Sequence, residues 1–97
     1  MAKNITKSIT VGTSPVNIAT ALGLDSSVAC TELFIQNDLS NSTYLYFGQS
    51  DVSPSNSIKY AAGDSYTERA AGNEPIQLGD MFVLCDLSQR VNIHARI

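Results

Sequence analysis

The strongest constraint on the fold is the pattern of the final segment, Val91–Ile97, in which apolar and polar residues alternate strictly. A period of two is typical of a β-strand that buries one face, and here it places all the apolar residues of the segment on the same side. The apolar run Met81–Cys85 precedes this segment across a short break. The two segments predict a β-hairpin, and with it a sheet whose buried face includes the last residues of the sequence.

The size and composition of the chain are those of a single globular domain. The sequence has 97 residues, of which 43% are hydrophobic and 15% are charged. A domain of this size buries somewhat more than about 60% of the surface that its unfolded chain exposes, which is enough for independent folding. We therefore predict one domain over residues 1–97.

The charge distribution argues against nucleic-acid and membrane partners. The net charge is −3, and the six cations are scattered without forming a basic stripe of the kind that binds DNA or RNA. The longest apolar run, Met81–Cys85, is far shorter than the roughly 18 residues of a membrane-spanning helix. Polar residues interrupt Ile5–Ser14, so we also expect no secretion signal and synthesis in the cytoplasm.

Short apolar segments separated by clusters of Gly, Pro, Asn, Asp and Ser predict an all-β fold. Residues 19–29 are ambiguous and are predicted to be a connection with at most one helical turn, because Gly23 and the cluster 25–27 would end a helix early. The spacing favours a single-domain β-sandwich of about eight short antiparallel strands in a Greek-key or jelly-roll arrangement. The candidate strands before the final pair are Ile5–Val11, Val16–Ile18, Thr31–Gln36, Thr43–Phe47, Ile58–Tyr60, Ser65–Arg69 and Ile76–Leu78.

Local turn chemistry predicts a second hairpin at Gly79-Asp80. This dipeptide is suited to a two-residue primed turn, in which glycine supplies the positive φ that the turn requires. The turn would join Ile76–Leu78 to Met81–Cys85.

A third hairpin is predicted from Thr31–Gln36 and Thr43–Phe47, which flank a loop of good turn formers. Alternation divides these two strands between an inward and an outward face. The predicted inward residues are Leu33, Ile35, Leu45 and Phe47, and the outward ones are Phe34, Tyr44 and Tyr46. The outward face is either covered by another part of the chain or presents aromatic rings to a partner.

The sequence offers no constellation of catalytic or metal-binding residues. Its one histidine, His94, lies on the polar face of the final strand and is predicted to be exposed. A zinc site needs three or four ligands, and the two cysteines and His94 lack paired spacing. The aspartates fall mostly at loops and strand ends, where their side chains cap turns. We therefore expect no enzymatic activity, no metal and no cofactor.

The two cysteines, Cys30 and Cys85, each lie beside or within an apolar segment. Two buried, reduced thiols are the preferred interpretation, because free cysteine is among the most buried residue types. A disulfide bridge between neighbouring strands remains open as the alternative.

Four short segments precede the closing β-rich region, namely Ile9–Val16, Phe34–Asp38, Tyr44–Gly48 and Ala62–Ser65. Their order and spacing resemble those of the capsid decoration, or cement, proteins of tailed bacteriophages, which have a jelly-roll or β-sandwich fold. The resemblance covers most of the chain apart from residues 19–30. It implies a non-enzymatic virion structural protein, made in the host cytoplasm, that binds the major capsid protein on the capsid exterior and stabilises the shell. It also implies self-association as a homotrimer or homodimer.

Exposure arguments select the residues expected to touch these partners. The polar N-terminal segment, residues 1–7, is predicted to act as an arm that adds to the sheet edge of a neighbouring protein. The second expected contact is the outward aromatic face, since tyrosine provides contact area at low entropic cost and is enriched at interfaces. The predicted partner-binding residues are Lys3, Asn4, Lys7, Tyr44 and Tyr46.

An alternative function is a carbohydrate- or receptor-binding β-sandwich of a phage fibre or a cell surface. In that case Tyr44 and Tyr46 would form a stacking platform for sugar rings. The absence of tryptophan and an aromatic content of 7% are modest for a sugar-binding protein.

Overall fold

The computed structural model describes residues 3–71 and 74–97, and within them the chain consists mainly of β-strands. One single-turn α-helix and one 3₁₀ turn complete the regular structure. The strands are β1 (Asn4–Val11), β2 (Val16–Asn17), β3 (Ala29–Cys30), β4 (Glu32–Asn37), β5 (Leu45–Gly48), β6 (Ile58–Tyr60), β7 (Ser65–Arg69), β8 (Ile76–Gln77), β9 (Phe82–Cys85) and β10 (Gln89–Arg96); the helix is α1 (Ile18–Ala21), and the 3₁₀ turn is Leu78–Asp80. The prediction of an all-β domain is confirmed.

Eight of the strands form two four-stranded antiparallel sheets. The first sheet has the order β1-β10-β4-β7, and the second has the order β2-β9-β5-β6. The two remaining strands, β3 and β8, pair with each other as a small additional sheet. Successive strands mostly alternate between the two large sheets, an order that is compatible with the predicted jelly roll.

The core lies between the two large sheets and follows from the alternation of their residues. In β10, Val91, Ile93 and Ala95 are buried, as the sequence pattern predicts. The inward residues predicted for the neighbouring strands are buried as well, at 8% exposure or less. The cluster that joins the sheets includes Val11, Leu33, Ile35, Leu45, Phe47, Val83, Cys85, Val91, Ile93 and Ala95.

The hairpin predicted from Met81–Cys85 and Val91–Ile97 is wrong, although both strands exist. β9 pairs with β2 and β5, whereas β10 pairs with β1 and β4. The same is true of the hairpin predicted from Thr31–Gln36 and Thr43–Phe47, since β4 and β5 lie in different sheets. The connections 86–88 and 38–44 cross between the sheets. Crossovers and hairpins use the same turn-forming residues, so composition does not distinguish them.

The hairpin predicted across Gly79-Asp80 is also wrong. Leu78–Asp80 forms a 3₁₀ turn, and the preceding strand β8 pairs with β3. Gly79 does not adopt the positive φ that a primed turn requires; in the residues described, only Gly23 and Gly63 do so. Glycine is needed at position 79 for space instead, because an added Cβ would lie 2.2 Å from the carbonyl oxygen of Ser26.

The ambiguous segment 19–29 contains one turn of helix, as predicted. The side chain of Asn17 accepts a hydrogen bond from the Thr20 amide at 3.1 Å and so caps the start of α1. Gly23, at φ 74°, ends the turn in the left-handed conformation that favours glycine. Among the residues described, no helix has the length and apolarity needed to cross a membrane.

Both cysteines are buried and unbridged. Burial raises the pKa of the Cys30 thiol to about 11, and burial also raises the pKa of Cys85. The interpretation as two reduced core thiols is confirmed, and the alternative of a disulfide is not.

Gly79 gives a test of the close approach between the 3₁₀ turn and residues near Ser26. We expect Gly79→Ala to lower the free energy of unfolding by about 1–3 kcal/mol, because the new methyl group must displace backbone. Gly12→Ala is the matched control, since a Cβ at Gly12 meets nothing within 4 Å; it should change stability by less than about 0.5 kcal/mol. Urea denaturation measures both values, and equal stabilities would contradict the packing at Gly79.

Candidate functional site

The structure places the predicted N-terminal contacts in a strand of the sandwich. Asn4 and Lys7 belong to β1 and lie opposite Arg96 and Ile93 of β10. Lys3 continues this pairing, since its backbone exchanges hydrogen bonds of 2.9 and 2.7 Å with Ile97. The prediction of a free arm is therefore wrong for residues 3–7, and Met1 and Ala2 lie outside the described residues. All three predicted side chains, Lys3, Asn4 and Lys7, are exposed.

The reason for this correction lies in the alternation of β1 itself. Ile5 and Ile9 face the interior and pack against the core cluster. A segment with an apolar face finds a better partner in the sheet than in solvent, because burial of apolar surface is favourable. Deletion of residues 1–7 would remove half of β1 and not merely an appendage.

Tyr46 is not available as an exposed contact residue. Its side chain is 5% exposed and lies in a small apolar cluster with Val52 and Leu84 on the outer side of the second sheet. The Tyr46 hydroxyl donates a 2.8 Å hydrogen bond to Oδ2 of Asp86, which raises the pKa of the tyrosine. Of the two alternatives for this face, coverage by another part of the chain is correct at Tyr46.

Tyr44 remains accessible, with 48% of its surface exposed. The Nζ atom of Lys59 lies 5.9 Å from the centre of its ring, within reach of a cation–π contact. The rings of Tyr44 and Tyr46 are 6.4 Å apart and inclined by 49°, so they do not form a flat platform. Only Tyr44 of the predicted aromatic pair can contact a partner.

The predicted residues do not converge on one site. Lys3 and Asn4 lie at the beginning of β1, whereas Val11 at its end pairs with Gln89. The side chain of Gln89 in turn donates a 3.4 Å hydrogen bond to the carbonyl oxygen of Tyr44. A strand of eight residues spans roughly 24 Å, so the N-terminal residues and Tyr44 belong to different ends of the molecule.

Four of the connections between strands lie at the end of the sandwich that carries Tyr44. The strand registers place the end of β1, β4, β6 and β9 and the start of β5, β7 and β10 at this side. We call it the crossover end and define it by residues 12–15, 38–44, 61–64 and 86–88. These connections pass from one large sheet to the other, so their positions are fixed by both sheets.

Exposed apolar side chains concentrate at the crossover end. Leu39, Tyr44 and Leu87 are 78%, 48% and 47% exposed, and they account for three of the four large hydrophobic residues exposed in the part of the chain that the structure describes. The fourth, Ile58, lies in β6. Isolated exposed hydrophobics are common, but three on the connections of one end form a candidate contact surface.

A buried amide fixes two of these connections. Asn37 is fully buried, and its Nδ2 donates hydrogen bonds of 2.9 Å to the carbonyl oxygens of Thr43 and Tyr60. Its Oδ1 accepts a 2.7 Å hydrogen bond from Asn41. The backbone of Asn37 adds a bond from the Gly63 amide at 2.7 Å. One side chain thus ties 38–44 to the connection that follows β6.

A second buried amide joins the start of β10 to the same loop. Gln89 is 8% exposed, and its Nε2 donates to the carbonyl oxygen of Thr43 at 3.1 Å. Its Oε1 accepts from the Thr43 amide at 3.3 Å. Asn41 also accepts a 3.2 Å hydrogen bond from the Arg90 amide. Because buried polar groups are costly unless they are paired, this network holds the crossover end in one arrangement.

Asp38 forms hydrogen bonds that stabilise the surface of the same loop. Its Oδ2 accepts hydrogen bonds from the hydroxyl and amide of Ser40, and its Oδ1 accepts a 2.8 Å bond from Asn92. These hydrogen bonds, the Ser40 hydroxyl first, lower the pKa of Asp38 to about 2. The carboxylate therefore stays ionised through neutral and mildly acidic pH.

The residues that could support chemistry are not gathered at the crossover end. His94 is half-buried, whereas the sequence predicts an exposed side chain, and its Nδ1 lies 2.7 Å from the Thr6 hydroxyl. Within residues 3–71 and 74–97, no group of three His, Cys, Asp or Glu side chains is placed to hold a metal ion. The crossover end presents apolar side chains on fixed loops, an arrangement suited to contact with another surface.

Sequence reasoning missed Leu39, Leu87, Asn37 and Gln89. For the two amides a signal was present. Asn37 follows Leu33 and Ile35 at the next inward-facing position of β4, and Gln89 occupies the inward-facing position before Val91 in β10. A polar residue at the next inward position of a strand indicates a buried hydrogen-bonding group. For Leu39 and Leu87 the sequence contains no comparable signal, since each is a single leucine in a turn.

Replacement of Asn37 tests the role of the buried amide. Asn37→Leu keeps the branched shape of the side chain, but it removes the side-chain donor of the Tyr60 carbonyl oxygen and leaves the Thr43 carbonyl oxygen to Gln89. We therefore expect a loss of about 2–3 kcal/mol in the free energy of unfolding. Amide exchange of Gly63 and of residues 38–44 should accelerate more than that of β10. Asn56→Leu, at an exposed asparagine, is the control and should cost less than about 0.5 kcal/mol. Unchanged exchange in Asn37→Leu would show that the network does not fix the loops.

The depressed pKa of Asp38 predicts a pH-dependent contribution to stability. The carboxyl titrates at about 2 in the folded protein and near 3.9 in the unfolded chain. Its contribution is present above about pH 4 and is lost as the pH falls to about 2. We expect Asp38→Asn to have a lower melting temperature than the unaltered protein at pH 7 and nearly the same one at pH 2. Asp51→Asn, at an exposed aspartate of another loop, controls for the change in net charge.

Comparisons of the chain with models of protein families, with curated proteins and with solved structures found no match. The residues and their geometry are therefore the basis for any functional conclusion.

Proposed function

We propose that this protein is a non-enzymatic structural protein that binds a preformed protein surface through its crossover end. The observation that carries the proposal is the placement of Leu39, Tyr44 and Leu87 on connections held by buried amides. The proposed surface is the exterior of a bacteriophage capsid, and the proposed partner is the major capsid protein. In this role the protein decorates the virion and stabilises its shell.

Rigid apolar loops favour binding to a protein for an energetic reason. Association costs the entropy of every loop and side chain that becomes ordered at the contact. At the crossover end, Asn37 and Gln89 already fix the loops in the free protein, so less ordering is required on binding. The exposed leucines and Tyr44 supply the apolar centre that protein interfaces typically have.

The size of the molecule is sufficient for such a contact. The chain exposes 5417 Å², and a standard interface takes about 800 Å² from each partner, or roughly 15% of that surface. One end of the sandwich can therefore serve as a complete contact while the sides remain free. Many identical copies on one rigid lattice would also gain from avidity, so no single contact has to be strong.

The capsid as the particular partner is supported by the sequence resemblance to decoration proteins of tailed bacteriophages. The fold supports the same assignment at a coarser level, because a small all-β sandwich is the fold expected for such proteins. Carbohydrate binding has less support. The pair of stacked tyrosines on which it depends is not formed, since Tyr46 is buried beneath the loop that carries Val52.

Binding to undecorated phage capsids tests the proposal. Electron microscopy of the mixture should show saturable, regularly spaced protrusions, and Leu39→Ser and Leu87→Ser should each weaken binding by about tenfold or more, as loss of a central apolar contact does. Ile58→Ser is the matched control, because it alters an exposed hydrophobic residue of 57% accessibility outside the crossover end; its binding should be unchanged.

Two results would count against this function. Absence of binding by the unaltered protein would refute the capsid as partner. Equal loss of binding in Ile58→Ser and in the leucine variants would refute the crossover end as the contact. Specific retention on a glycan array, with no capsid binding, would favour the carbohydrate alternative.

A further inference from the structure

The first sheet ends in two strands that lack a partner on one side. Within residues 3–71 and 74–97, β1 pairs only with β10, and β7 pairs only with β4. β1 contains eight residues and β7 contains five. Open edges of this length offer rows of backbone donors and acceptors that can pair with another strand.

The ladder hydrogen bonds identify which backbone groups face outward on β1. Lys3 and Ile97 exchange both of their backbone hydrogen bonds, and this pattern alternates along an antiparallel pair. The odd-numbered residues of β1 therefore bond to β10. The residues whose N–H and C=O groups point away from the sheet are Asn4, Thr6, Ser8 and Thr10.

The same reasoning applies to β7 at the opposite edge. The Asn37 amide bonds to Asp64 at 3.0 Å, and the Ala70 amide bonds to Thr31 at 2.8 Å. These bonds flank β7 and place its even-numbered residues toward β4. The outward backbone groups of β7 are those of Ser65, Thr67 and Arg69, whose side chains are exposed.

The two edges are compatible in direction. Every neighbouring pair in the order β1-β10-β4-β7 is antiparallel, so β1 and β7 run in opposite directions. A second copy in the same orientation would place its β7 antiparallel to β1 of the first copy. The interior faces of the two sheets would then lie on the same side, and neither copy would have to be inverted.

Each edge strand carries one charged residue on its interior side, and the two charges are opposite. Lys7 lies on the same face of β1 as Ile5 and Ile9, which pack on the core, but Lys7 is itself exposed. Glu68 lies on the same face of β7 as Tyr66, and the ring of Tyr66 lies 4.7 Å from that of Phe47 in the second sheet. A charge at such a position on an open edge opposes the addition of a strand unless that strand places an opposite charge against it.

One register satisfies the backbone groups and the charges together. When Thr6, Ser8 and Thr10 exchange hydrogen bonds with Arg69, Thr67 and Ser65 of a second copy, Lys7 lies directly opposite Glu68. Ile9 then lies opposite Tyr66. Opposite charges and aromatic–β-branched pairs are both favourable across strands, and side chains approach most closely at these positions that lack ladder hydrogen bonds.

Pairing of β1 with β1 of another copy is disfavoured by the same residue. The register with the longest overlap joins Asn4 to Thr10 and Thr6 to Ser8, with the two-fold axis at Lys7. The two lysines would then lie directly opposite each other, which is destabilising. Lys7 thus discriminates between a second β1 and a β7.

We propose that copies of this protein associate by pairing β1 of one copy with β7 of the next, in the register that joins Lys7 to Glu68. The contact is heterologous, so each copy uses both edges, and a closed ring satisfies every edge. The first sheets would form one continuous surface around such a ring. This self-association does not depend on the identity of the surface that the crossover end binds.

Charge reversal tests the register. Sedimentation velocity of the full chain from about 1 µM to 1 mM should show concentration-dependent association, a range that detects weak to moderate contacts. Lys7→Glu and Glu68→Lys should each weaken association by about tenfold, since an attractive pair becomes repulsive. The double variant Lys7→Glu/Glu68→Lys should regain the association of the unaltered protein. Asp51→Lys makes the same change in net charge as Glu68→Lys at an exposed loop residue outside both edge strands, and it should have no effect.

A proline variant tests the edge without altering charge. Thr10→Pro removes an outward N–H group, which the pairing with β10 does not use, so the domain should keep its circular-dichroism spectrum. It should nevertheless abolish association. A monomer at every concentration, or association that is insensitive to both the charge reversals and Thr10→Pro, would overturn the proposal. Capsid binding is measured separately, so failure of self-association leaves the proposed function to its own test.

Discussion

The structure depends on the burial of one face of β10 by partners on three sides. β1 and β4 pair with its two edges, and the second sheet covers Val91, Ile93 and Ala95. A strand in this central position must alternate strictly, because a shift by one residue would exchange its buried and solvent faces. The clearest pattern in the sequence therefore belongs to the strand with the most neighbours.

The same alternation extends into the polar groups that organise the crossover end. Gln89 occupies an inward position of β10, and Asn37 occupies one of β4. A hydrophobic residue at either position would bury more apolar surface, but the carbonyl oxygen of Thr43 would then lose one of its two side-chain donors. At position 37 the carbonyl oxygen of Tyr60 would lose its side-chain donor as well. The two amides therefore reduce the apolar area buried at the crossover end, but they hold its loops in one position. The positions of the exposed leucines depend on these loops.

The sequence was sufficient to predict the strands apart from β3, but not their partners. Period-two patterns located β1, β4, β5 and β10 and identified their inward residues, because burial of alternate side chains is a local property. An apolar run located β9. Which strand lies beside which is decided by the whole chain. Turn-forming residues at 38–44 and 86–88 are compatible with a hairpin or a crossover. In the structure both segments are crossovers, because the strands on either side of each lie in different sheets. The site was harder to predict for the same reason. The outward position of Tyr44 follows from local alternation, whereas burial of Tyr46 requires Val52, from a loop whose position no local pattern reveals.

The pairing of β1 with β10 has a consequence for how the protein is made. Thr6 and His94, which lie opposite each other, are 88 positions apart in the chain. A topology dominated by such distant contacts folds slowly, because the entropy of closing long loops is lost before the contacts form. On the ribosome, β1 lacks its partner β10 until that strand has emerged, so the first sheet cannot be complete before that point.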